Sequence, residues 1–153
     1  MSKFYQGKFT PQYPEKYVGD VNNIVYRSSW ELKFLIWCDR NVGILKYGSE
    51  ELVIPYFSTA ENKARRYFPD FIIMYKHQAT GQIRRAVIEI KPYTQTMMPK
   101  VPKRQTRRYL TEVKNYVVNT DKWHAAKSWC DKNGFEFQIF TEYDLGISKR
   151  PNK

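Results

Sequence analysis

Two apolar stretches on either side of a short polar turn restrict the fold of this chain more than any other feature of its sequence. Residues 71–74 (FIIM) and 86–90 (AVIEI) are nearly continuous in apolar side chains, and residues 79–81 (ATG) supply a turn between them. Strands with one face in water alternate polar and apolar residues, whereas continuous apolar strands are covered on both faces. The sequence therefore predicts strands over 65–75 and 83–91 that form the middle of a sheet.

Helical and strand patterns flank this pair on both sides. Ser28 and Glu31 form an S-x-x-E capping box at the start of a helix that ends at Asn41 to Gly43. The same periodicities predict a hairpin of strands 44–47 and 52–57, helices over 103–117 and from 119 or 120 to 133, and a last strand over 135–140. This order predicts a mixed α/β core. We expect an extended N-terminal arm over 1–25, one domain over 26–145 and a C-terminal tail over 146–153.

The chain carries a large positive charge for its size. Its 153 residues include 26 Lys and Arg against 15 Asp and Glu, which gives a net charge of +11. Such a surplus implies a polyanionic partner, and among nucleic acid, an acidic membrane surface and an acidic protein we expect nucleic acid. A helix that binds a membrane surface would carry its aromatic residues on one face, whereas the aromatic residues here are spread along the whole chain.

The composition argues against several other classes of protein. An aromatic content of 16% is too high for a disordered polycation. The chain has no apolar run of about 18 residues and no apolar signal-peptide core near its polar start, so we expect a soluble protein without a membrane partner. Cys38 and Cys130 lack C-x-x-C spacing, and they predict neither a disulfide framework nor a zinc module.

Two carboxylates and a lysine fall at matching ends of the two central strands. Pro69 and Asp70 come at the start of one strand, and Glu89-Ile90-Lys91 ends the other. If the strands form a hairpin, opposite residues have numbers that sum to about 159, which places Asp70 beside Glu89. The strand period of two points Glu89 and Lys91 to the same face. We therefore expect two carboxylates and one ammonium together on one face of the sheet.

A bound metal ion would explain why these carboxylates lie so close together. Crowded carboxylates repel each other unless a cation lies between them, and Mg²⁺ prefers oxygen ligands and keeps waters for chemistry. Asp70, Glu89 and the backbone carbonyl of Ile90 are therefore predicted ligands of Mg²⁺, with Mn²⁺ as a substitute ion. Lys91 would assist the attacking water or stabilise charge on a phosphate. An exposed ion pair of Glu89 and Lys91 is the simpler interpretation, but an idle Glu on a buried strand is costly.

The Pro-Asp and Glu-x-Lys pattern resembles the PD-(D/E)xK nuclease superfamily. In that superfamily the Asp and the Glu-x-Lys bind the metal from adjacent strands, and an acidic residue of the first core helix often completes the site. Glu31 stands at the matching place. The resemblance implies a restriction-endonuclease-like mixed sheet flanked by helices, with Asp70, Glu89, Lys91 and Glu31 as catalytic residues and Glu31 as a further metal ligand. The Pro of the motif is often replaced, so Pro69 is expected to have only a backbone role.

Several longer blocks resemble the head completion nucleases of T-even-type tailed phages. They are residues 26–31 (YRSSWE), 48–50 (GSE), 54–57 (IPYF), 65–68 (RRYF), 88–92 (IEIKP) and 118–123 (VNTDKW). The resemblance implies an endonuclease that cuts double-stranded DNA in head completion, after DNA packaging and before tail joining. It also implies phage head, portal or neck proteins as partners. The expected locations are the host cytoplasm during assembly and the head–tail junction of the virion.

A basic segment follows the central strands and is predicted to hold the DNA backbone. Five of its residues are cationic: Lys100, Lys103, Arg104, Arg107 and Arg108. If this stretch is already helical, the residues spaced three and four apart share one face. Arg65 and Arg66 are weaker candidates of the same kind. Glu50 is a further acidic candidate for the site, although a turn residue that faces water is the favoured interpretation.

Two alternatives to a head completion nuclease stay open on the sequence. One is a non-catalytic DNA-binding or portal-associated head assembly protein that keeps the nuclease fold, because a fold does not guarantee activity. The other is a junction-resolving nuclease, which differs in substrate geometry. The intact acidic pair and its lysine favour catalysis, since an adaptor has no need of these charges on a buried strand.

Overall fold

A four-stranded mixed sheet forms the centre of the structure, a computed structural model that describes residues 6–150. In chain order the strands are β1 Gly7–Lys8, β2 Val25–Tyr26, β3 Ile44–Ser49, β4 Ile54–Ser58, β5 Lys63–Tyr67, β6 Phe71–Lys76, β7 Ile83–Ile90 and β8 Glu136–Phe140. The α-helices are α1 Ser29–Arg40 and α2 Arg107–Asn133, and short 3-10 helices span Pro14–Lys16 and Tyr93–Thr96. The predicted mixed α/β fold is confirmed. The first five residues of the predicted arm and the last three of the tail lie outside the described residues.

The two apolar stretches pair at the middle of the sheet, as predicted. The strand order is β3-β6-β7-β8, with β6 and β7 antiparallel and β7 and β8 parallel. Phe71 lies opposite Ile88 and Ile72 lies opposite Val87, so opposite residues have numbers that sum to 159. The register that the sequence predicts for this hairpin is therefore found in the structure.

The central sheet is packed on both faces. On one face Phe71, Ile73 and Ile88 belong to a cluster that includes Phe34 of α1. A second cluster joins the β4–β5 pair to α2, and its buried members are Ile54, Tyr56, Tyr67 and Ala126. Since Ile88 packs toward α1, the strand period of two turns Glu89 to the opposite side, where Tyr67 contacts it.

The predicted hairpin of strands 44–47 and 52–57 is wrong. β3 pairs with β6, whereas β4 pairs with β5 in a separate two-stranded sheet. Glu50 follows β3 with a left-handed φ of 55°, which turns the chain away from a direct return. Its N–H donates to the carbonyl oxygen of Asp70 over 3.1 Å, and this bond ties the end of β3 to the start of β6.

The single strand predicted over 65–75 is also wrong, because it is two strands in different sheets. β5 ends before Pro69, and β6 starts after it. Proline has no N–H to donate in a strand ladder, and Pro69 is fully buried. The chain therefore passes from one sheet to the other through a packed interruption at Pro69.

The two helices predicted after residue 103 form one continuous helix, α2. No Gly or Pro interrupts its sequence, and Thr120 bonds back to the carbonyl of Tyr116 over 2.8 Å instead of capping a new helix. Gly134 ends α2 with a left-handed φ of 76°, as predicted. The helix starts only at Arg107, with Thr106 as its N-cap. Lys103 and Arg104 precede it, so the helical face suggested for the basic segment is not formed.

The N-terminal segment is fastened to the end of α1. The ammonium of Lys16 donates to the carbonyl oxygens of Cys38, Asp39 and Asn41 at 2.7, 2.8 and 3.0 Å. A cation at this position complements the partial negative charge of a helix C-terminus. The Asp39 carboxylate, which is almost fully buried, accepts hydrogen bonds from the backbone N–H groups of residues 12 and 13 and from the Tyr47 hydroxyl.

Two further features bear on the expectations from composition. Cys38 and Cys130 are both buried, and each is a free thiol. None of the helices within residues 6–150 has the length and apolar character needed to cross a membrane.

The buried carboxylate of Asp39 predicts a large effect of its removal. Asp39→Ala leaves two backbone N–H groups and one hydroxyl without their acceptor, and we expect the free energy of unfolding to fall by about 2–4 kcal/mol. Urea unfolding followed by circular dichroism measures this loss. Asp131→Ala is the control, because it removes an exposed carboxylate that pairs with Lys127 and should cost roughly 0.5 kcal/mol or less. Equal losses in the two variants would contradict the role given to Asp39.

Candidate active site

Glu89 is the most enclosed carboxylate of the candidate site. It lies near the end of β7 with 6% of its surface exposed. The Tyr67 hydroxyl donates to Glu89 Oε1 over 2.6 Å, and Lys91 Nζ lies 3.7 Å from Glu89 Oε2. Burial raises the pKa of Glu89, while the Tyr67 hydrogen bond and the charges of Lys91 and Lys122 oppose that rise. These neighbours help a buried carboxylate to carry its charge.

Asp70 lies beside this group at the start of β6. Its Oδ2 accepts a hydrogen bond from the backbone N–H of Ile90 over 2.8 Å. This bond joins the start of β6 to the end of β7. Burial raises the pKa of Asp70 to about 8, and the negative charge of Glu89 adds to the rise. Two carboxylates that share a desolvated place resist being charged together, and an added cation would relieve their repulsion.

Glu31 reaches the same place from the first turn of α1. Its N–H donates to Ser28 Oγ over 3.1 Å, so Ser28 is the predicted N-cap. Its carboxylate accepts from the N–H of Arg27 over 3.2 Å, where a complete capping box would use the N–H of Ser28. Burial raises the pKa of Glu31. Glu31 therefore has a structural contact at the helix end as well as a position at the site.

One cleft of about 350 Å³ brings the predicted catalytic and metal-binding residues together. Its lining is formed by Arg27, Ser28, Ser29, Trp30, Glu31, Asp70, Glu89, Ile90, Lys91 and Pro92. Within residues 6–150, no group of three or more His, Cys, Asp or Glu side chains is arranged so that it could hold a metal ion. The donors nonetheless fit Mg²⁺, because this ion is usually held by one or two carboxylates and keeps several waters.

Glu50 lies next to the site through its backbone. Its N–H bonds to the carbonyl of Asp70, and its carboxylate forms an ion pair with Arg27. Glu50 does not line the cleft, whereas Arg27 does. The left-handed backbone and this ion pair agree with a turn residue, which was the favoured interpretation from the sequence.

The predicted DNA-binding residues are exposed and lie outside the lining of the cleft. Lys100, Lys103, Arg104, Arg107 and Arg108 are in the segment that leads from the cleft into α2. Arg108 forms an exposed ion pair with Glu112, with 3.2 Å between the charged atoms. Arg65 and Arg66 are on β5, where Arg65 pairs with Glu61 and Arg66 lies 5.7 Å from the ring centre of Phe68.

Tyr67 and Lys122 contact the site but were not among the predicted residues. Tyr67 is buried and bonds to Glu89, and Lys122 Nζ lies 5.6 Å from the centre of the Tyr67 ring. Both residues fall in blocks that carry the resemblance to head completion nucleases, at 65–68 and 118–123. Their place in these blocks was the feature of the sequence that could have indicated a role at the site. The contact of Tyr67 with Glu89 was not predicted, because the wrong strand bounds placed Tyr67 in the central sheet.

Comparison with known proteins identifies the class of this chain. A family model described as TnsA-like endonuclease N terminal matches residues 41–142. The chain therefore belongs to the TnsA-like endonuclease family, and the predicted restriction-endonuclease-like fold is confirmed. It is similar to the head completion nuclease of Enterobacteria phage T4, with 44% identity over 145 residues that cover 92% of this chain and 93% of the phage protein. The resemblance found in the sequence is thus confirmed. The matched family region contains Asp70, Glu89 and Lys91, whereas Glu31 precedes it.

The raised pKa of Asp70 predicts how stability depends on pH in the absence of metal. Between its ordinary pKa of 3.8 and about 8, Asp70 binds a proton more tightly in the folded state than in the unfolded state. Rising pH therefore removes stability in this window. Asp70→Asn abolishes the titration, so the variant should gain stability relative to the wild type as the pH rises, by about 1 kcal/mol or more at pH 8.

Urea unfolding in EDTA at pH 5, 6.5 and 8 measures this difference. Asp131→Asn is the matched control, because Asp131 is an exposed carboxylate on α2. A difference between Asp70→Asn and the wild type that stays constant with pH would show that Asp70 has an ordinary pKa.

Proposed function

We propose that this protein is a Mg²⁺-dependent DNA endonuclease that acts in phage head completion, after DNA packaging and before tail joining. The observation that carries the proposal is the convergence of Asp70, Glu89 and Lys91 in one cleft. The membership of the TnsA-like endonuclease family and the similarity to the phage T4 head completion nuclease support the same reaction. Phage head, portal or neck proteins are the proposed protein partners. The host cytoplasm during assembly and the head–tail junction are the proposed locations.

Asp70 and Glu89 would hold the metal ion, with the backbone carbonyl of Ile90 and the carboxylate of Glu31 as further ligands. All four residues line the cleft. A bound Mg²⁺ supplies a positive charge that stabilises the negative charge growing on the scissile phosphate and acidifies water at the site. The Tyr67 hydroxyl fixes the orientation of Glu89 through its 2.6 Å hydrogen bond, which is how a group behind a ligand tunes a metal site.

Lys91 is the proposed electrostatic partner of the reacting phosphate. It shares the cleft with the carboxylates, and its ammonium lies 3.7 Å from Glu89 Oε2. At this distance the contact with Glu89 is a loose ion pair, and the ammonium keeps N–H groups for another acceptor. Lys91 can therefore donate a hydrogen bond to the attacking water or to a phosphate oxygen, where positioned donors contribute most to catalysis.

The positive charge of the whole protein supports DNA as the substrate. A net charge of +11 attracts a polyanion, but the cleft itself contains three carboxylates. A metal ion would let a phosphate approach this local negative charge. The cations of residues 100–108 and Arg65 with Arg66 are the proposed contacts to the DNA backbone. A non-catalytic head assembly protein would not cut DNA in the following test. A junction-resolving nuclease would be identified by its cutting of a branched substrate.

Nicking of supercoiled plasmid in Mg²⁺ or Mn²⁺ tests the proposal. We expect Glu89→Gln and Lys91→Ala to lose at least about 100-fold in rate, because each removes a group that stabilises the transition state. Asp131→Asn and Lys132→Ala make the same changes of charge on the exposed end of α2, and they should cut like the wild type. A branched DNA substrate in the same assay identifies a junction-resolving enzyme. An inert wild type, or variants as active as the wild type, would refute the nuclease proposal.

A further inference from the structure

The loop that leaves the cleft exposes apolar side chains to solvent. Met97 is 52% exposed, Met98 75% and Val101 81%. Burial of such side chains is favourable, so evolution rarely leaves several of them together on a surface without a partner. We call residues 97–101 the apolar tip. It is not part of either hydrophobic cluster within the described residues.

The base of this loop is fixed next to the catalytic cleft. Lys91 and Pro92 line the cleft, and the 3-10 helix Tyr93–Thr96 connects them to the apolar tip. The N–H of Tyr93 donates to the Glu142 carboxylate over 2.8 Å, and the Tyr93 ring meets the Tyr143 ring edge-on at 5.4 Å. The apolar tip therefore starts only a few residues from Lys91, on an anchored base.

The charge around the apolar tip selects its partner. From residue 91 to residue 111 the sequence has no Asp or Glu, and it has six cations: Lys91, Lys100, Lys103, Arg104, Arg107 and Arg108. Apolar side chains among cations suit DNA, where the cations hold phosphates and the apolar side chains enter between base pairs. An anionic membrane offers similar chemistry, but the apolar tip follows Lys91 and Pro92 of the cleft after one short 3-10 helix. That position favours DNA, the proposed substrate of the cleft, over a membrane as the partner of the apolar tip.

We propose that the apolar tip is a wedge that inserts between stacked bases of the DNA held at the cleft. This proposal rests on the proposed nuclease function and adds a substrate class to it. Insertion of a wedge requires unstacking, which costs least where pairing or stacking is already interrupted. The preferred substrate is therefore DNA with a mismatch, a nick, a branch or an unpaired end, and continuous duplex is a poorer substrate.

Binding without metal tests the wedge apart from cleavage. The probe is a duplex of about 30 base pairs, either continuous or with a central mismatched bubble, that carries 2-aminopurine beside the bubble. In EDTA we expect the wild type to bind the bubble at least about tenfold more tightly than the continuous duplex. We also expect the 2-aminopurine fluorescence to rise beyond its value in the free bubble when the protein binds.

The variant removes the apolar tip but none of its charges. Met97→Ser/Met98→Ser/Val101→Ser should bind the bubble and the continuous duplex with about equal affinity, and the fluorescence change should be lost. The affinity for continuous duplex and the salt dependence of that affinity should stay unchanged. Val42→Ser/Ile83→Ser is the matched control. Val42 and Ile83 are 94% and 59% exposed, and both adjoin the end of the β6–β7 pair remote from Asp70. It should behave like the wild type.

Three results would overturn the wedge. They are a wild type without preference for the bubble, a triple variant that keeps the preference, and a triple variant that loses binding to vesicles of anionic lipid while its DNA binding is unchanged. The nuclease proposal fails independently, through an inert wild type in the nicking assay. A bubble preference in a protein that does not cut would uphold the wedge and refute the nuclease.

Discussion

The antiparallel pairing of β6 with β7 is the interaction on which the rest of the structure depends. It sets Phe71 against Ile88, and just beyond this last pair the Asp70 carboxylate accepts a hydrogen bond from the N–H of Ile90. A slip of one residue would exchange the two faces of each strand. It would bury Glu89 against α1 and bring Ile88 to the cleft. The apolar residues of these strands therefore fix the position of the carboxylates as well as the core.

The site combines charges that would destabilise the fold with contacts that moderate them. Burial raises the pKa of both Asp70 and Glu89, and the negative charge of Glu89 adds to the rise for Asp70; raised pKa values are typical of groups arranged for function. The hydrogen bond from Tyr67 and the positive charge of Lys91 stabilise the ionised form of Glu89. At the other end of α1, Lys16 and Asp39 join the N-terminal segment to the helix. The Lys16 ammonium donates to carbonyl oxygens, and the Asp39 carboxylate accepts from a backbone N–H. Within residues 6–150, the carboxylates whose pKa burial raises are Glu31, Asp70 and Glu89, and all three line the cleft.

The sequence was most informative where a local pattern determines the structure. The capping motif at Ser28, the stop at Gly134 and the register of the central pair all follow from neighbouring residues or from a period of two. The pairing of β4 with β5 could not be predicted in this way, because strand pairing depends on packing between distant segments. The contact of Tyr67 with Glu89 depends on that pairing. The single helix α2 also differed from the two helices predicted there. Asn119 and Thr120 often cap a new helix, but a long helix tolerates them in its interior.

The proposed active site requires a divalent cation bound at Asp70 and Glu89. Calorimetric titration of Mn²⁺ at pH 7, in two buffers of different ionisation enthalpy, tests it most directly. We predict one saturable event for the wild type with release of protons, because the pKa of Asp70 is about 8 before the cation binds. Glu89→Gln should abolish binding, and Glu136→Gln, at the far end of the sheet, should not. Absence of binding by the wild type, or equal binding by Glu89→Gln, would refute a metal site at Asp70 and Glu89.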